Sequence, residues 1–187
     1  IDIDPDGEGL RFVLQSDEAA NALMPKALKG KEDQAGLFEI SVVTQSIATG
    51  LAERLAEQGG TILALDYGYA KPAFGETLQA LKDHKYIDVL TTPGEADLTA
   101  HVDFDTLANS FKDGGAKVWG PMGQGEFLER LGITQRMQTL LQHAAPDQQE
   151  TIIAAHKRLC SPEEMGSLFK VICATHPTQP APPAFEG

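Results

Sequence analysis

The chain has 187 residues, 42% of them apolar, enough for one domain with a sizeable core. Its formal net charge of −12 argues against nucleic acid or an anionic membrane as a partner, because phosphate binding is carried by Lys and Arg. No apolar run approaches the roughly 20 residues of a membrane helix, and two cysteines, Cys160 and Cys173, are too few for the disulfide framework of a small secreted domain.

The chain begins Ile1-Asp2-Ile3-Asp4, with neither an initiator Met nor a signal-peptide pattern, and reads as an internal start. Ile1–Leu14 alternates apolar and polar residues around Pro5-Asp6-Gly7, which predicts a hairpin: Pro pre-sets φ and Gly takes a positive one. Residues 15–36 are polar and read as loop. Val43, Ile47, Leu51 and Leu55 recur every four residues, predicting a helix with one apolar face, stopped by Gly59-Gly60. Thr61-Ile62-Leu63-Ala64-Leu65 follows without alternation, as a strand covered on both faces would. Residues 70–100 read as a long connection with a short helix near Thr77–Lys82. They are too apolar for disorder.

Asp103 or Asp105 can cap a helix running to Lys112, ended by Gly114-Gly115. Ala116–Trp119 is a second strand, Gly120–Gly125 a loop, and Glu126–Leu131 a short helix closed by Gly132. Thr134 is placed to cap the next helix, and Pro146 opens one that continues to about Cys160. Ser161-Pro162-Glu163-Glu164 has capping-box order for one more turn. Leu168–Ala174 is a third apolar strand. The last eleven residues hold four prolines and read as a frayed tail. A helix, a two-glycine link and a buried strand make an αβ unit, so the fold class is α/β. Three core strands are few for such a sheet, and strand 61–65 reads as a central strand whose neighbours are missing.

In open α/β sheets ligands sit outside the carboxyl ends of strands, where Asp66, Tyr67, Gly68 and Tyr69 fall. Asp66 can accept hydrogen bonds from a cationic or hydroxyl-bearing substrate, or serve as a base; equally, it can accept from backbone N–H groups while Gly68 supplies an unusual φ. The tyrosines suit packing as well as a site. Asp97-Leu98-Thr99-Ala100-His101-Val102-Asp103-Phe104 puts Asp97, Thr99, His101 and Asp103 on one side if extended, and a His–Asp pair suits proton transfer. Helix capping by Asp103 and a structural hydrogen bond to His101 are the plain alternative. Gly120–Gly125 has the order G-x-x-G-x-G with no following Lys-Ser/Thr, so it reads as a turn admitting close backbone approach, with Gln124 near a helix start. No G-x-S-x-G elbow is present. The five histidines are scattered and no CxxC or Cys/His cluster has zinc spacing, which argues against a metal.

Several strings in order carry a resemblance: Ala64-Leu65-Asp66-Tyr67-Gly68-Tyr69; Gly75-Glu76-Thr77-Leu78-Gln79-Ala80; Pro93-Gly94-Glu95-Ala96-Asp97 through Phe104; Gly120-Pro121 with Gln124 through Ile133; and Met165-Gly166-Ser167-Leu168-Phe169-Lys170. Over about residues 37–174 the chain resembles the MidA-like family of class I S-adenosylmethionine-dependent methyltransferases, whose mitochondrial members are protein-arginine methyltransferases that assist complex I assembly. The resemblance implies the C-terminal part of a Rossmann-like sheet. Strand 61–65 would be its fifth, Ala116–Trp119 its sixth, and Leu168–Ala174 its seventh and antiparallel strand. Residues 1–36, with the hairpin, would belong to an insertion, 37–176 to the C-terminal half of the methyltransferase domain, and 177–187 to a Pro-rich tail.

The family's glycine-rich cofactor loop, the acidic residue after its second strand and its Asn-Glu segment have no counterpart here. The cofactor-binding residues are therefore expected in an N-terminal half of the same protein. This chain would supply the substrate-side wall, with Asp66, His101 and Asp103 catalytic and Tyr67, Gly68, Tyr69 and Gln124 substrate-binding. The implied partners are a protein substrate, that N-terminal half and a second copy of the chain, in the cytoplasm of a bacterium or the mitochondrial matrix of a eukaryote. The alternative is a non-catalytic binding or assembly module on the same fold, distinguished by the absence of a Gly-rich strand–helix turn upstream.

Overall fold

The structure, a computed structural model, describes residues 1–7, 9–13, 22–25, 28–29 and 36–186. Most of the expected loop at 15–36 lies outside them. The chain divides into two compact units, one of residues 1–40 and 72–101, the other of residues 41–71 and 102–187.

In the first unit, β1 (Asp2–Ile3) and β2 (Leu10–Arg11) pair antiparallel as the alternation predicts. Between them Gly7 takes φ 79° and donates its N–H to the Asp4 carbonyl at 2.8 Å. The expected helix near Thr77–Lys82 is instead β4 (Gln79–Lys82), the middle strand of an antiparallel sheet with β5 (Lys85–Ile87) and β6 (Asp97–Thr99). Asp83 and His84 connect β4 to β5 at φ 50° and 61°, the conformation of a two-residue hairpin turn. That turn usually carries Asn-Gly, so Asp-His hides it from a sequence reading. The Glu39 carboxylate accepts from the backbone N–H groups of Thr77 (2.8 Å) and Leu78 (3.0 Å) and from the Thr77 hydroxyl.

The second unit is built on a four-stranded sheet in the order β7-β3-β9-β8. β3 (Thr61–Tyr69) runs antiparallel to β9 (Phe169–Thr175), from Thr61 opposite Thr175 to Tyr67 opposite Phe169. β8 (Lys117–Gly123) flanks β9 on its other side, also antiparallel, with a register break between Trp119 and Met122. β7 (Val102–Asp103) pairs parallel with the last two residues of β3. The last strand is thus antiparallel to β3 and β8, as expected, and lies between them.

Two cores cover the sheet. On one face α1 (Val42–Gln58) and α2 (Phe104–Asp113) bury Ala48, Ala52, Leu55, Phe104, Ala108 and Phe111 against Ile172 and Ala174. On the other, Phe127 of α3 (Gln124–Arg130) and Phe185 pack on Val171 and Cys173. The Pro-rich tail is therefore docked and not frayed: Phe185 is 8% exposed and Arg130 donates to the Ala184 carbonyl at 3.0 Å. The remaining helices are α4 (Ile133–Leu141), α5 (Pro146–Cys160) and α6 (Met165–Leu168). Thr134 does not cap α4. Gly132 holds that position in the left-handed conformation, and the Thr134 hydroxyl turns to Glu129.

Two expectations about burial fail together. β3 is not covered on both faces: Leu63 is 49% and Leu65 44% exposed. In α1, the periodic face Val43, Ile47 and Leu51 points outward, Val43 at 65% exposure, while the small residues Ala48 and Ala52 face the core with Leu55. Alanines let α1 approach α2 closely, and the bulkier stripe is left outside.

Candidate functional site

β3 runs four residues further than its apolar stretch, so Asp66, Tyr67, Gly68 and Tyr69 are strand residues and not a loop beyond it. Alternation places Asp66 and Gly68 on one side, Tyr67 and Tyr69 on the other. The exposed Asp66 accepts from the Tyr67 backbone N–H at 2.8 Å. Tyr67 meets Phe169 edge-on, with ring centroids 5.6 Å apart. Gly68 is buried because β7 comes close: a Cβ there would stand 2.1 Å from the Val102 carbonyl oxygen. Only glycine lets β3 and β7 pair at this point.

A residue the sequence reading passed over fixes this segment. Lys170, opposite Asp66 in the register, donates from Nζ to the carbonyls of Gly68 at 3.1 Å, Leu168 at 3.4 Å and Ser167. Burial lowers its pKa from the ordinary 10.5. The available signal was a single charge next to the apolar run Val171–Ala174.

The second cluster is split. Asp97 and Thr99 lie in β6, which pairs with β4, whereas Asp103 lies in β7, which pairs with β3. The four side chains therefore do not line one strand face. Asp103 is the N-cap of α2: Oδ1 accepts from the N–H groups of Asp105 and Thr106, both at 3.1 Å, and Oδ2 from the Thr106 hydroxyl at 2.7 Å. His101 belongs to the first unit, where its backbone N–H donates to the Thr77 hydroxyl at 2.9 Å. Gln124 is buried and its amide donates to the Leu159 carbonyl at 2.9 Å. The expected loop at Gly120–Gly125 is instead the end of β8 running directly into α3; a Cβ on Gly123 would meet the Gly166 carbonyl at 2.9 Å and one on Gly125 the Cys160 carbonyl at 2.3 Å. The space those glycines open is filled by the protein's own backbone.

A family profile described as "Putative S-adenosyl-L-methionine-dependent methyltransferase" matches residues 1–122. The chain belongs to this methyltransferase family. It is 38% identical over 173 residues to the mitochondrial protein arginine methyltransferase NDUFAF7 of Danio rerio, covering 91% of the chain and 39% of that relative. With the Drosophila melanogaster homolog it shares 37% identity, covering 87% of the chain and 37% of that protein. A superfamily relative from Burkholderia thailandensis, solved with S-adenosyl-homocysteine bound, superposes with a TM-score of 0.76 at 26% identity, covering 98% of the chain and 48% of that structure. The chain thus spans under half the length of these relatives.

An adenosyl cofactor of this family needs a glycine-rich strand–helix turn with room for it. The β8–α3 junction at Gly120–Gly125 is closed by the backbone of Cys160 and Gly166, so it does not fit the group. No helix among the described residues is long and apolar enough to cross a membrane.

The structure also assembles a cluster that the spacing argument missed. Glu129, His156 and Cys160 each present a ligand-type atom within 4.8 Å of the others. The residues come from two helices, so no contiguous motif announces them.

Proposed function

We propose that this chain forms the substrate-side wall of an S-adenosylmethionine-dependent methyltransferase acting on protein arginine. The family, the names of its curated relatives and the bound product in the solved relative support the reaction class. The observation that carries the reading is Asp66-Tyr67-Gly68-Tyr69 at the carboxyl end of β3, anchored by Lys170. Methyl transfer from a sulfonium depends mainly on orienting nucleophile and methyl group. Asp66 is the carboxylate that receives the planar guanidinium fork, which it can accept bidentately. Tyr67 and Tyr69 frame the strand end from the other side of β3, and Gly68 lets β7 pair beside it. Asp103 acts by placing α2 and Gln124 by fixing α3.

The outward apolar faces of α1 and β3 support a further part of the reading. On the side away from β9, β3 pairs along Thr61–Tyr67 with no strand among the described residues. Strands from the rest of a longer family member would pair along that edge, and elements packed on the sheet face would cover Leu63 and Leu65. β3, β8 and β9 would then be the fifth, sixth and seventh strands, and the β1–β2 hairpin part of an insertion. A second copy of the chain is the other candidate for that face. The relatives named mitochondrial support the matrix as the location of a eukaryotic protein of this kind; a bacterial one would work in the cytoplasm.

The test is Asp66→Ala in the protein that carries this chain, followed by S-adenosyl-homocysteine release and S-adenosylmethionine titration. Loss of a charge-assisted bond to the substrate lowers turnover by about tenfold or more and leaves cofactor affinity within about twofold. Unchanged methylation rejects the assignment.

A further inference from the structure

We propose that Glu129, His156 and Cys160 form a binding site for a divalent transition metal of the zinc class, clasping α3 to α5. His156 and Cys160 are four residues apart on α5 and share a helix face. Glu129 comes from α3, and its Oε1 lies 3.1 Å from His156 Nε2. A carboxylate oxygen, an imidazole nitrogen and a thiol sulfur all fall within 4.8 Å of one another. Bond lengths of about 2.0 Å to N and O and about 2.3 Å to S put tetrahedral ligand atoms roughly 3.3–3.5 Å apart. The imidazole–carboxylate pair, at 3.1 Å, is within a few tenths of an ångström of that separation, and a side-chain adjustment of about 1 Å closes the rest.

The backbone holds the three residues in place. Gly125 and Gly166 both press on the Cys160 carbonyl, where a Cβ would stand at 2.3 and 2.1 Å respectively. Gln124 Nε2 ties the adjacent Leu159 carbonyl to α3. The end of α5 therefore cannot drift from the helix carrying Glu129. The Thr134 hydroxyl donates to Glu129 Oε1 and Oε2 at 2.9 and 2.7 Å, as the outer hydrogen bond to a metal-bound carboxylate does. One thiolate, one imidazole and one carboxylate suit zinc better than the all-oxygen sites of magnesium or calcium, and three protein ligands leave a fourth position for water. The competing arrangement is a His156–Glu129–Thr134 hydrogen-bonded cluster that needs no metal.

The experiment is titration of the chelator-treated, reduced protein with Co²⁺. One equivalent should produce a thiolate-to-cobalt charge-transfer band with tetrahedral d–d absorption, displaced by Zn²⁺. Cys160→Ser should abolish the band, and Glu129→Gln, which keeps side-chain shape, should weaken affinity at least about tenfold. In the unsubstituted protein, Zn²⁺ should slow alkylation of Cys160, read by peptide mass spectrometry, without altering Cys173. No band, a band that survives Cys160→Ser, or a Cys160 alkylation rate indifferent to Zn²⁺ overturns the site in favour of the proton-only cluster.

Discussion

Lys170 and Gly68 are joined across the sheet, the ammonium of one donating to the carbonyl of the other at 3.1 Å. The same ammonium holds the carbonyls of Ser167 and Leu168, so a single side chain ties the start of β9 to the end of β3. That bond makes the segment at Asp66 rigid, and it makes Lys170 a source of pH dependence.

Burial lowers the Lys170 pKa below 10.5. Below the lowered value both folded and unfolded chains hold the proton, and the cost of desolvating the charge is fully present. Between that value and 10.5 the unfolded chain binds more protons, so the Lys170 contribution to stability rises with pH and then levels off. Urea midpoints of the wild type relative to Lys170→Met should therefore climb across this alkaline window. A difference that stays flat with pH rules out the buried charge as its cause.

Gly68→Ala and Gly50→Ala should move stability in opposite directions. A Cβ at Gly68 meets the Val102 carbonyl at 2.1 Å and the Phe104 ring at 3.0 Å, so β7 must shift, at a cost of about 1–3 kcal/mol or more. Gly50 lies within α1 with nothing inside 4 Å, and alanine there should stabilise by about 0.5–1 kcal/mol. Thermal denaturation of the two variants checks the pair.

Asp103→Ala removes the cap of α2 and should cost about 1–2 kcal/mol. Asp103→Asn keeps an accepting oxygen for the two backbone N–H groups and should hold stability close to the wild type. Turnover of the Asn variant then reports on the charge alone. Retained activity in Asn with a lower Tm in Ala makes Asp103 a cap and no more.

Leu63→Lys tests what covers the open face of β3. If further elements pack on Leu63 in the complete protein, a charge there should cost about 2–5 kcal/mol, visible as a drop of several degrees in Tm. An unchanged Tm means that the face stays in water, and the proposed packing is rejected.

The local elements were legible where local physics decides them. Asp103 before a short amphipathic run made a capped helix, Pro146 opened α5, and the apolar Val171–Ala174 stretch became the buried strand between β3 and β8. The Asp66–Tyr69 segment was placed at the right end of β3 because apolar residues stop there. Long-range relationships were not legible. A four-residue period shows that α1 has an apolar face, but close packing against α2 turned its alanine side inward and left Val43, Ile47 and Leu51 outside. Lys170 gains its role from a carbonyl 102 positions away in the chain, and Glu129 meets His156 and Cys160 only because two glycines let three backbones touch. Spacing along a chain encodes which residues share a face of one element. Which elements then meet, and so which polar atoms find each other, is set by how side-chain volumes pack.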